Sequence, residues 1–241
     1  MAETKVKTET PEKDAIEIAK GFWARFSKPI IIAGSAIIVL VGGYLGYKYL
    51  YKLPNEQKAS EMIFPAERLF DKMANEKGFS KDSVNIVLNG GSLEGNAVTG
   101  LLKIISNYGG TAAGNRAHYM AGACYLQIKE FDKAIKQLKE FDANGASQVE
   151  SRADIMLGHA YSELKKTDEA LSYYKKAARA ASDDAGLSSE ALYMAARYAE
   201  ASGKTKEAVE LFQQLKNEYA TTPHVQGGDV DKYLGKLGAL K

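Results

Sequence analysis

An uncharged run of 19 residues near the start of the chain restricts its fold more than any other feature. The run extends from Pro29 to Tyr47 and reads PIIIAGSAIIVLVGGYLGY. A helix needs about 20 apolar residues to cross the hydrocarbon core of a bilayer. Aromatic residues typical of membrane interfaces lie at both ends of the run, namely Phe22, Trp23, Phe26, Tyr44, Tyr47 and Tyr51. We therefore predict a single transmembrane signal-anchor helix over residues 29–51.

A buried core helix and a cleaved signal peptide both fit this run less well. A core helix of a soluble protein is seldom apolar on all sides over such a length. A cleaved signal peptide would have a shorter charged region before the run, and it would end at an A-x-A site, which the sequence lacks there. A permanent anchor is the interpretation that agrees with the whole segment.

The basic residues beside the run do not decide its orientation. The positive-inside rule places the flank with more Lys and Arg residues in the cytoplasm. Within about 15 residues the two flanks have equal numbers: Lys20, Arg25 and Lys28 before the run, and Lys48, Lys52 and Lys58 after it. Farther from the run, Lys5, Lys7 and Lys13 add a weak bias. We expect a cytoplasmic N-terminus and a C-terminal domain outside the cytoplasm, and the opposite orientation stays open.

The tail before the run, residues 1–28, contains the amphipathic segment PEKDAIEIAKGFWARF from Pro11 to Phe26. Its apolar residues recur at helical spacing, and Thr10 is placed to cap the helix. We expect this helix to lie flat in the membrane interface. It would serve as a general anchor or, alternatively, as a docking helix for another membrane protein.

The rest of the chain, residues 52–241, has no formal net charge. It contains 25 basic and 25 acidic residues, without a basic stripe interleaved with aromatic residues, so nucleic-acid binding is not expected. The single cysteine, Cys124, has no partner for an intrachain disulfide. We expect it to be a small buried apolar residue.

Residues 52–110 are predicted to form an extended helix and a degenerate first repeat. Apolar residues over 59–73 follow a helical period, with a predicted kink at Pro65. Residues 82–88 are predicted to form a short helix. Residues 94–108 (EGNAVTGLLKIISNY) are predicted to form another helix, which pairs with the extended one.

Residues 111–241 repeat one amphipathic pattern three times, in the segments FDKAIKQL, TDEALSYY and TKEAVELF. Each segment has an alanine at its fourth position, a large residue four positions later and a small residue twelve positions earlier. The alanines are 36 and 38 residues apart. We predict that the helices of each repeat pack through these positions, with Gly158 meeting Ala170 at the crossing. The predicted packing residues are Gly122, Tyr125, Ala134, Gly158, Tyr161, Ala170, Tyr174, Ala208 and Phe212.

This pattern resembles the tetratricopeptide repeat (TPR), a 34-residue helix–turn–helix unit with small residues at its eighth and twentieth positions. The resemblance implies an all-α solenoid of about three to four units. Residues 230–240 (VDKYLGKLGAL) would be a C-terminal capping helix. The third copy departs from the pattern, because Ala199 stands where the others have tyrosine.

Repeats of this family bind partners through a concave face formed by the first helix of each unit. By register, the residues lining that face would be Arg116, Tyr119, Gln127, Arg152, His159, Glu163, Tyr193, Arg197 and Glu200. Their mixed charge and aromatic character suits an extended polypeptide. The alternative is an ordinary solvated surface, with a solvent-facing or capping role for His159. The positions where the family's chaperone-tail clamp has Lys and Asn hold Tyr119 with Ala123 and Ile155 with His159, so that function is not implied.

No arrangement typical of an enzyme stands out in the sequence. His118, His159 and His224 share no metal-ligand spacing. The glycine-rich segments lack the Lys-Ser/Thr of a phosphate-binding loop. We expect no catalytic residue, no metal and no cofactor.

The order of a short tail, one span ending in YLGYKYLY and a small repeat domain resembles the YfgM family. These proteins are ancillary subunits of the bacterial SecYEG translocon. The resemblance implies an inner-membrane protein with periplasmic repeats that takes part in protein transport. Its implied partners are the SecYEG translocon, a PpiD-like periplasmic chaperone, secreted client polypeptides and the lipid bilayer. Two alternatives remain: an assembly scaffold for the envelope or for cell division, and a cytoplasm-facing TPR adaptor.

Overall fold

The structure, a computed structural model, describes residues 11–75, 78–93 and 95–240, without the side chains of residues 11–14 and 93. The predicted cap Thr10 and the tail lysines Lys5 and Lys7 lie outside these residues. The chain divides into two units, one up to Pro54 and one from Asn55 onward. It is all-α, with one short β-hairpin in the described part.

The first unit contains one long helix. The helix α1 (Pro11–Gly46) has 36 residues, or about 54 Å at 1.5 Å per residue. A π-helical turn (Tyr47–Lys52) follows it. By length and composition this helix can cross a membrane, and its most apolar stretch is not buried inside the structure.

The first unit differs from the sequence prediction at Pro29. The sequence predicts an interfacial helix ending at Phe26 and a separate span beginning at Pro29. Instead, α1 runs through both segments with Pro29 inside it. Ser27 and Lys28 provide no glycine stop between the two apolar segments, so α1 continues through Pro29 despite the lost hydrogen bond and the crowding of the proline ring against the preceding turn. The amphipathic segment from Pro11 to Phe26 and the predicted span as far as Gly46 are therefore one continuous helix.

Two helices follow, and the first begins at Leu53, two residues before the second unit. The helix α2 (Leu53–Asn75) runs through Pro65 and carries an apolar stripe that is buried: Ala59, Ile63, Ala66, Leu69 and Met73. The helix α3 (Lys81–Asn89) begins after Ser80, whose hydroxyl accepts a hydrogen bond from the Ser83 N–H at 3.1 Å. This bond satisfies one of the unpaired N–H groups of the first turn.

A β-hairpin replaces the first part of the helix predicted for residues 94–108. The strand β1 (Gly91–Leu93) pairs antiparallel with β2 (Asn96–Val98), and α4 (Leu101–Tyr108) begins after them. Gly95 has φ of +81°, which favours a turn. A Cβ on Gly100 would lie 2.3 Å from a backbone carbon at the end of α3, so the chain passes itself where only glycine fits. The main helix contacts of α4 are with α3 and α5, not with the extended helix.

Three helix pairs follow, one for each predicted repeat. They are α5 (Ala112–Gln127) with α6 (Phe131–Glu140), α7 (Ser147–Glu163) with α8 (Thr167–Ala180), and α9 (Ala185–Ala201) with α10 (Thr205–Glu218). Each helix from α4 to α10 packs on its neighbours in sequence. The short helices α11 (Pro223–Gln226) and α12 (Asp229–Lys236) end the unit, and α12 packs on α10.

The turn inside each pair has the same backbone conformation. Lys129, Lys165 and Gly203 occupy its left-handed position, with φ of 64°, 60° and 76°. In each pair the N–H of the next residue donates to the carbonyl five residues earlier, at 2.9, 3.0 and 2.9 Å. This is the Schellman arrangement that ends a helix. The three repeats therefore share a turn as well as an alanine.

The shared alanines lie inside the apolar core. Ala134, Ala170 and Ala208 have no exposed surface. Buried residues of α2 to α6 form one apolar cluster, and those of α6 to α12 form another. Cys124 is buried in the first cluster, as predicted, and burial raises the pKa of its thiol to about 12.

Candidate protein-interaction surface

Two glycines bring the helices of the first two pairs close together. A Cβ on Gly122 would lie 2.5 Å from Leu138 Cγ, and one on Gly158 would lie 2.6 Å from Tyr174 Cδ1. Gly158 therefore faces Tyr174, whereas the sequence pattern predicts that it meets Ala170. A helical side chain leans toward the N-terminus of its own helix, so Tyr174 covers the turn that contains Ala170.

Tyr161, the predicted packing tyrosine of the second repeat, lies between the first helix pair and the second. The rings of Tyr161 and Tyr173 stack with centroids 5.3 Å apart. Lys139 of α6 and Lys166 of the α7–α8 turn lie over the Tyr161 ring, at 5.5 and 5.8 Å from its centroid. Tyr125 of the first repeat has Lys133 at 5.6 Å. These tyrosines are mostly buried and contribute to packing.

The candidate residues on α5 contact neighbouring elements. Arg116 Nε lies 2.8 Å from Glu67 Oε1 of α2. The Tyr119 ring is half-buried, with its centroid 5.2 Å from that of Phe141. Burial raises the pKa of Tyr119, and the positive charge of Arg152 on α7 opposes this rise. The side chains of Tyr119 and Arg152 thus connect the first pair to the second.

The candidates on α7 combine a half-buried histidine with two charged groups. His159 Nδ1 shares a hydrogen bond of 2.8 Å with the Tyr174 hydroxyl. Burial lowers the pKa of His159, while the nearby Glu163 carboxylate acts in the opposite direction. Arg152 and Glu163 are exposed. His159 therefore packs against α8 and is not a simple solvent-facing residue.

The candidates on α9 contact the C-terminal helices. Tyr193 stacks on His224 of α11, with ring centroids 3.8 Å apart. The guanidinium carbon of Arg197 lies 4.5 Å from the centroid of Tyr233 on α12. The repeat register predicts that both side chains line an open face; both have contacts within the chain, and Arg197 is also exposed.

Two further contacts hold α12 in this position. Glu200, the last candidate residue, forms an ion pair with Lys236. Phe212 is fully buried and stacks on Tyr233 with centroids 5.1 Å apart. The C-terminal helices thus cover part of this face, leaving Arg197 exposed and Tyr193 and Glu200 partly buried.

We call the set Tyr119, Arg152, His159 and Glu163 the central patch. It spans α5 and α7 and combines a half-buried phenol, a half-buried imidazole, an exposed guanidinium and an exposed carboxylate. Such a set offers hydrogen-bond donors, acceptors and aromatic contact area to a polypeptide. Gln127 is exposed at the C-terminal end of α5.

Sequence reasoning missed a buried carboxylate on α7. The Asp154 side chain is only 4% exposed, and Lys176 Nζ lies 3.1 Å from it. Lys176 also lies 3.1 Å from Glu150. Burial raises the pKa of Asp154, and its contact with Lys176 opposes this rise. An acidic residue four positions before Gly158, on the packing side of the helix, was the available signal.

Two family models match the chain. The tetratricopeptide repeat-like domain matches residues 20–186, and the tetratricopeptide repeat matches residues 155–223. No curated protein and no solved structure matches. Such repeats are generally non-catalytic modules of protein–protein interaction, and neither match indicates an enzymatic family. Since the first match covers more than half of the sequence, the chain belongs to the tetratricopeptide repeat-like family.

Proposed function

We propose that this chain is a non-catalytic, membrane-anchored accessory subunit of the bacterial SecYEG translocon. It would span the inner membrane once, with its N-terminus in the cytoplasm and its repeats in the periplasm. There it would bind a PpiD-like chaperone, emerging client polypeptides, or both. The observation that carries the proposal is the presence, in one chain, of an unburied apolar helix and a TPR-like repeat region.

The aromatic residues at both ends of the apolar segment support the anchor. The Phe22 and Phe26 rings pack at 4.9 Å, and Tyr47 and Tyr51 stack at 5.6 Å. Trp and Tyr are the aromatic residues enriched at the level of the lipid headgroups. At about 54 Å, α1 exceeds the roughly 30 Å of a hydrocarbon core. Part of it would therefore stay at the interface, within reach of another membrane protein.

The central patch is the surface that we assign to partner binding. Its four side chains come from two successive helix pairs, so a bound segment would contact both. The pairs would stack as a solenoid and present this surface beside the channel exit. A tether of this kind raises the effective concentration of a weak site to about millimolar, so modest affinity would be sufficient.

A photocrosslinking experiment tests the translocon assignment. A photoreactive residue at Tyr47 or Tyr51 is expected to crosslink to SecY in intact cells. The same residue at Glu210, exposed on α10, serves as the matched control and is expected to give no SecY product. If neither tyrosine position captures SecY while the protein is membrane-bound, the translocon role is wrong, and an envelope or cell-division scaffold becomes the better hypothesis.

Protease protection tests the orientation separately. In sealed inside-out vesicles, the repeat region is expected to resist protease until detergent is added. Digestion without detergent would place the repeats in the cytoplasm and would favour a cytoplasm-facing adaptor.

The role of the central patch needs a third measurement. The double variant Tyr119→Ala/Arg152→Ala is expected to reduce capture of a PpiD-like chaperone from gently solubilised membranes about tenfold. Gln213→Ala, on an exposed position of α10, should leave capture unchanged. Equal capture by both variants would show that partners bind elsewhere.

A further inference from the structure

A groove in the second unit, away from the central patch, has features of a second binding site. It has a volume of about 630 Å³ and lies between α2 and the strand β2. On the helix side it is lined by Phe64, Arg68 and Leu69, among others. Phe64 is 57% exposed, although it is a large apolar residue at the wall of a groove. This exposure leaves apolar surface available to a ligand.

The strand side of the groove is an edge, not a face. Three successive residues of β2, Asn96, Ala97 and Val98, line it. Side chains alternate between the two faces of a strand, so one face alone would contribute only alternate residues. Within the described residues, β2 pairs only with β1. Because antiparallel pairing alternates, either Ala97 or its two neighbours direct their N–H and C=O groups away from β1.

Among the residues that the structure describes, the charged side chains lining the groove are basic, namely Arg68 and Lys72. The guanidinium carbon of Arg68 lies 5.9 Å from the centroid of the Phe64 ring, so a positive charge stands directly beside the apolar wall. An edge with unpaired backbone groups, an apolar wall and a cation together match an extended peptide that carries both apolar and acidic side chains.

We propose that this groove binds an extended, acidic polypeptide segment, which adds a third strand beside β2. Backbone hydrogen bonds to β2 hold the segment, alternate apolar side chains contact Phe64, and a carboxylate pairs with Arg68. The proposal concerns a surface separate from the central patch, and it does not depend on the translocon assignment.

The test uses the full chain in lipid nanodiscs and a fluorescent octapeptide of alternating glutamate and valine. Fluorescence anisotropy is expected to show saturable binding that weakens with salt. An octapeptide with lysine in place of glutamate should bind at least tenfold more weakly. Arg68→Glu is expected to weaken binding of the glutamate peptide about tenfold. Lys103→Glu, the same charge change at an exposed position of α4, should not alter it.

Two N-methylated peptides test the strand pairing itself. Methylation of alternate amides leaves the side chains unchanged but blocks the N–H groups on one edge of the extended peptide. One methylation pattern is expected to reduce affinity at least tenfold, and the complementary pattern to retain it. Thermal unfolding of Arg68→Glu should match that of the parent, which separates loss of binding from loss of folding.

Several outcomes would overturn the proposal. They are equal binding of the glutamate and lysine peptides, no binding of either, equal affinities for the two methylated peptides, or equal affinities of the Arg68→Glu and Lys103→Glu variants. Self-association of the chain that Arg68→Glu abolishes would show that the groove holds a second copy, and the peptide proposal would then be wrong.

Discussion

The ring of Tyr174 occupies the space that a side chain at Gly158 would need. A Cβ at that position would lie 2.6 Å from both Cδ1 and Cε1 of the ring. Tyr174 is 3% exposed, and its hydroxyl is bonded to His159 on the same helix as the glycine. The ring is therefore held between the two helices and has little freedom to move aside.

Replacing Gly158 by alanine overpacks the helix crossing, at a cost of about 1–3 kcal/mol. Alanine offsets about 1 kcal/mol of this cost through its higher helix propensity, so we expect a net destabilisation of up to about 2 kcal/mol. Chemical denaturation monitored by circular dichroism measures the difference. The control is Gly235→Ala on α12, where a Cβ would meet nothing within 4 Å. A Gly158→Ala variant as stable as the parent would mean that Tyr174 moves freely.

The repeated left-handed turn allows two substitutions that should change stability in opposite directions. Lys165→Gly is expected to stabilise the chain by about 0.5–1 kcal/mol, because a non-glycine residue is strained at positive φ. Gly203→Ala, at the equivalent position, should destabilise by about 1 kcal/mol for the same reason. Equilibrium unfolding in urea measures both. If both changes had the same sign, the turn would not control stability in the way that its φ angles indicate.

Stability should fall on acidification because of His159. Burial lowers its folded-state pKa below the usual 6.5, so the unfolded state binds more protons between the two pKa values. The free energy of unfolding should therefore decrease as the pH falls from 6.5 toward the folded-state pKa. His159→Asn, which keeps a polar atom near the Tyr174 hydroxyl, should flatten this dependence. Thermal unfolding between about pH 8 and pH 5 measures it.

The value at about pH 8 serves as the control for that experiment, because the imidazole is then neutral in both states. A difference between parent and variant at this pH reports packing and hydrogen bonding alone. An unchanged slope in His159→Asn would assign the acid sensitivity to other groups.

The C-terminal helix α12 is expected to contribute measurably to the free energy of unfolding through the packing of Tyr233. This side chain stacks on the buried Phe212 and lies under Arg197. Tyr233→Ala should destabilise the chain by about 2 kcal/mol, less than a fully buried aromatic residue because Tyr233 is only half-buried. Lys232→Ala, the exposed neighbour, should stay within about 0.5 kcal/mol. Differential scanning calorimetry distinguishes the two, and equal values would mean that α12 adds no packing energy.

The sequence predicts features that depend on local spacing and misses those that depend on distant contacts. The alanines of the repeats are buried where the helical period places them. The contact of Gly158 with Tyr174 depends on the direction in which a side chain leans, which spacing alone does not give. The covering of Tyr193 by His224 joins residues 31 positions apart, and no local pattern marks it.

The β-hairpin escapes prediction for a different reason. Residues 94–108 contain enough apolar residues for a helix, and the glycines within the segment do not by themselves exclude one. The close passage at Gly100 and the positive φ at Gly95 are backbone requirements. A turn residue between two short alternating segments was the available signal.

The contact of α12 with Phe212 and Tyr193 also limits the stacking of further repeats on α10. A stack of repeats has two ends. If the last helix pair were uncovered, the first pair of another molecule could pack on it, and repeated contacts of this kind would form fibres. Here Tyr233 already fills that position. Another molecule could pack on this face of α10 only if α12 moved aside, which would break the stacking of Tyr233 on Phe212.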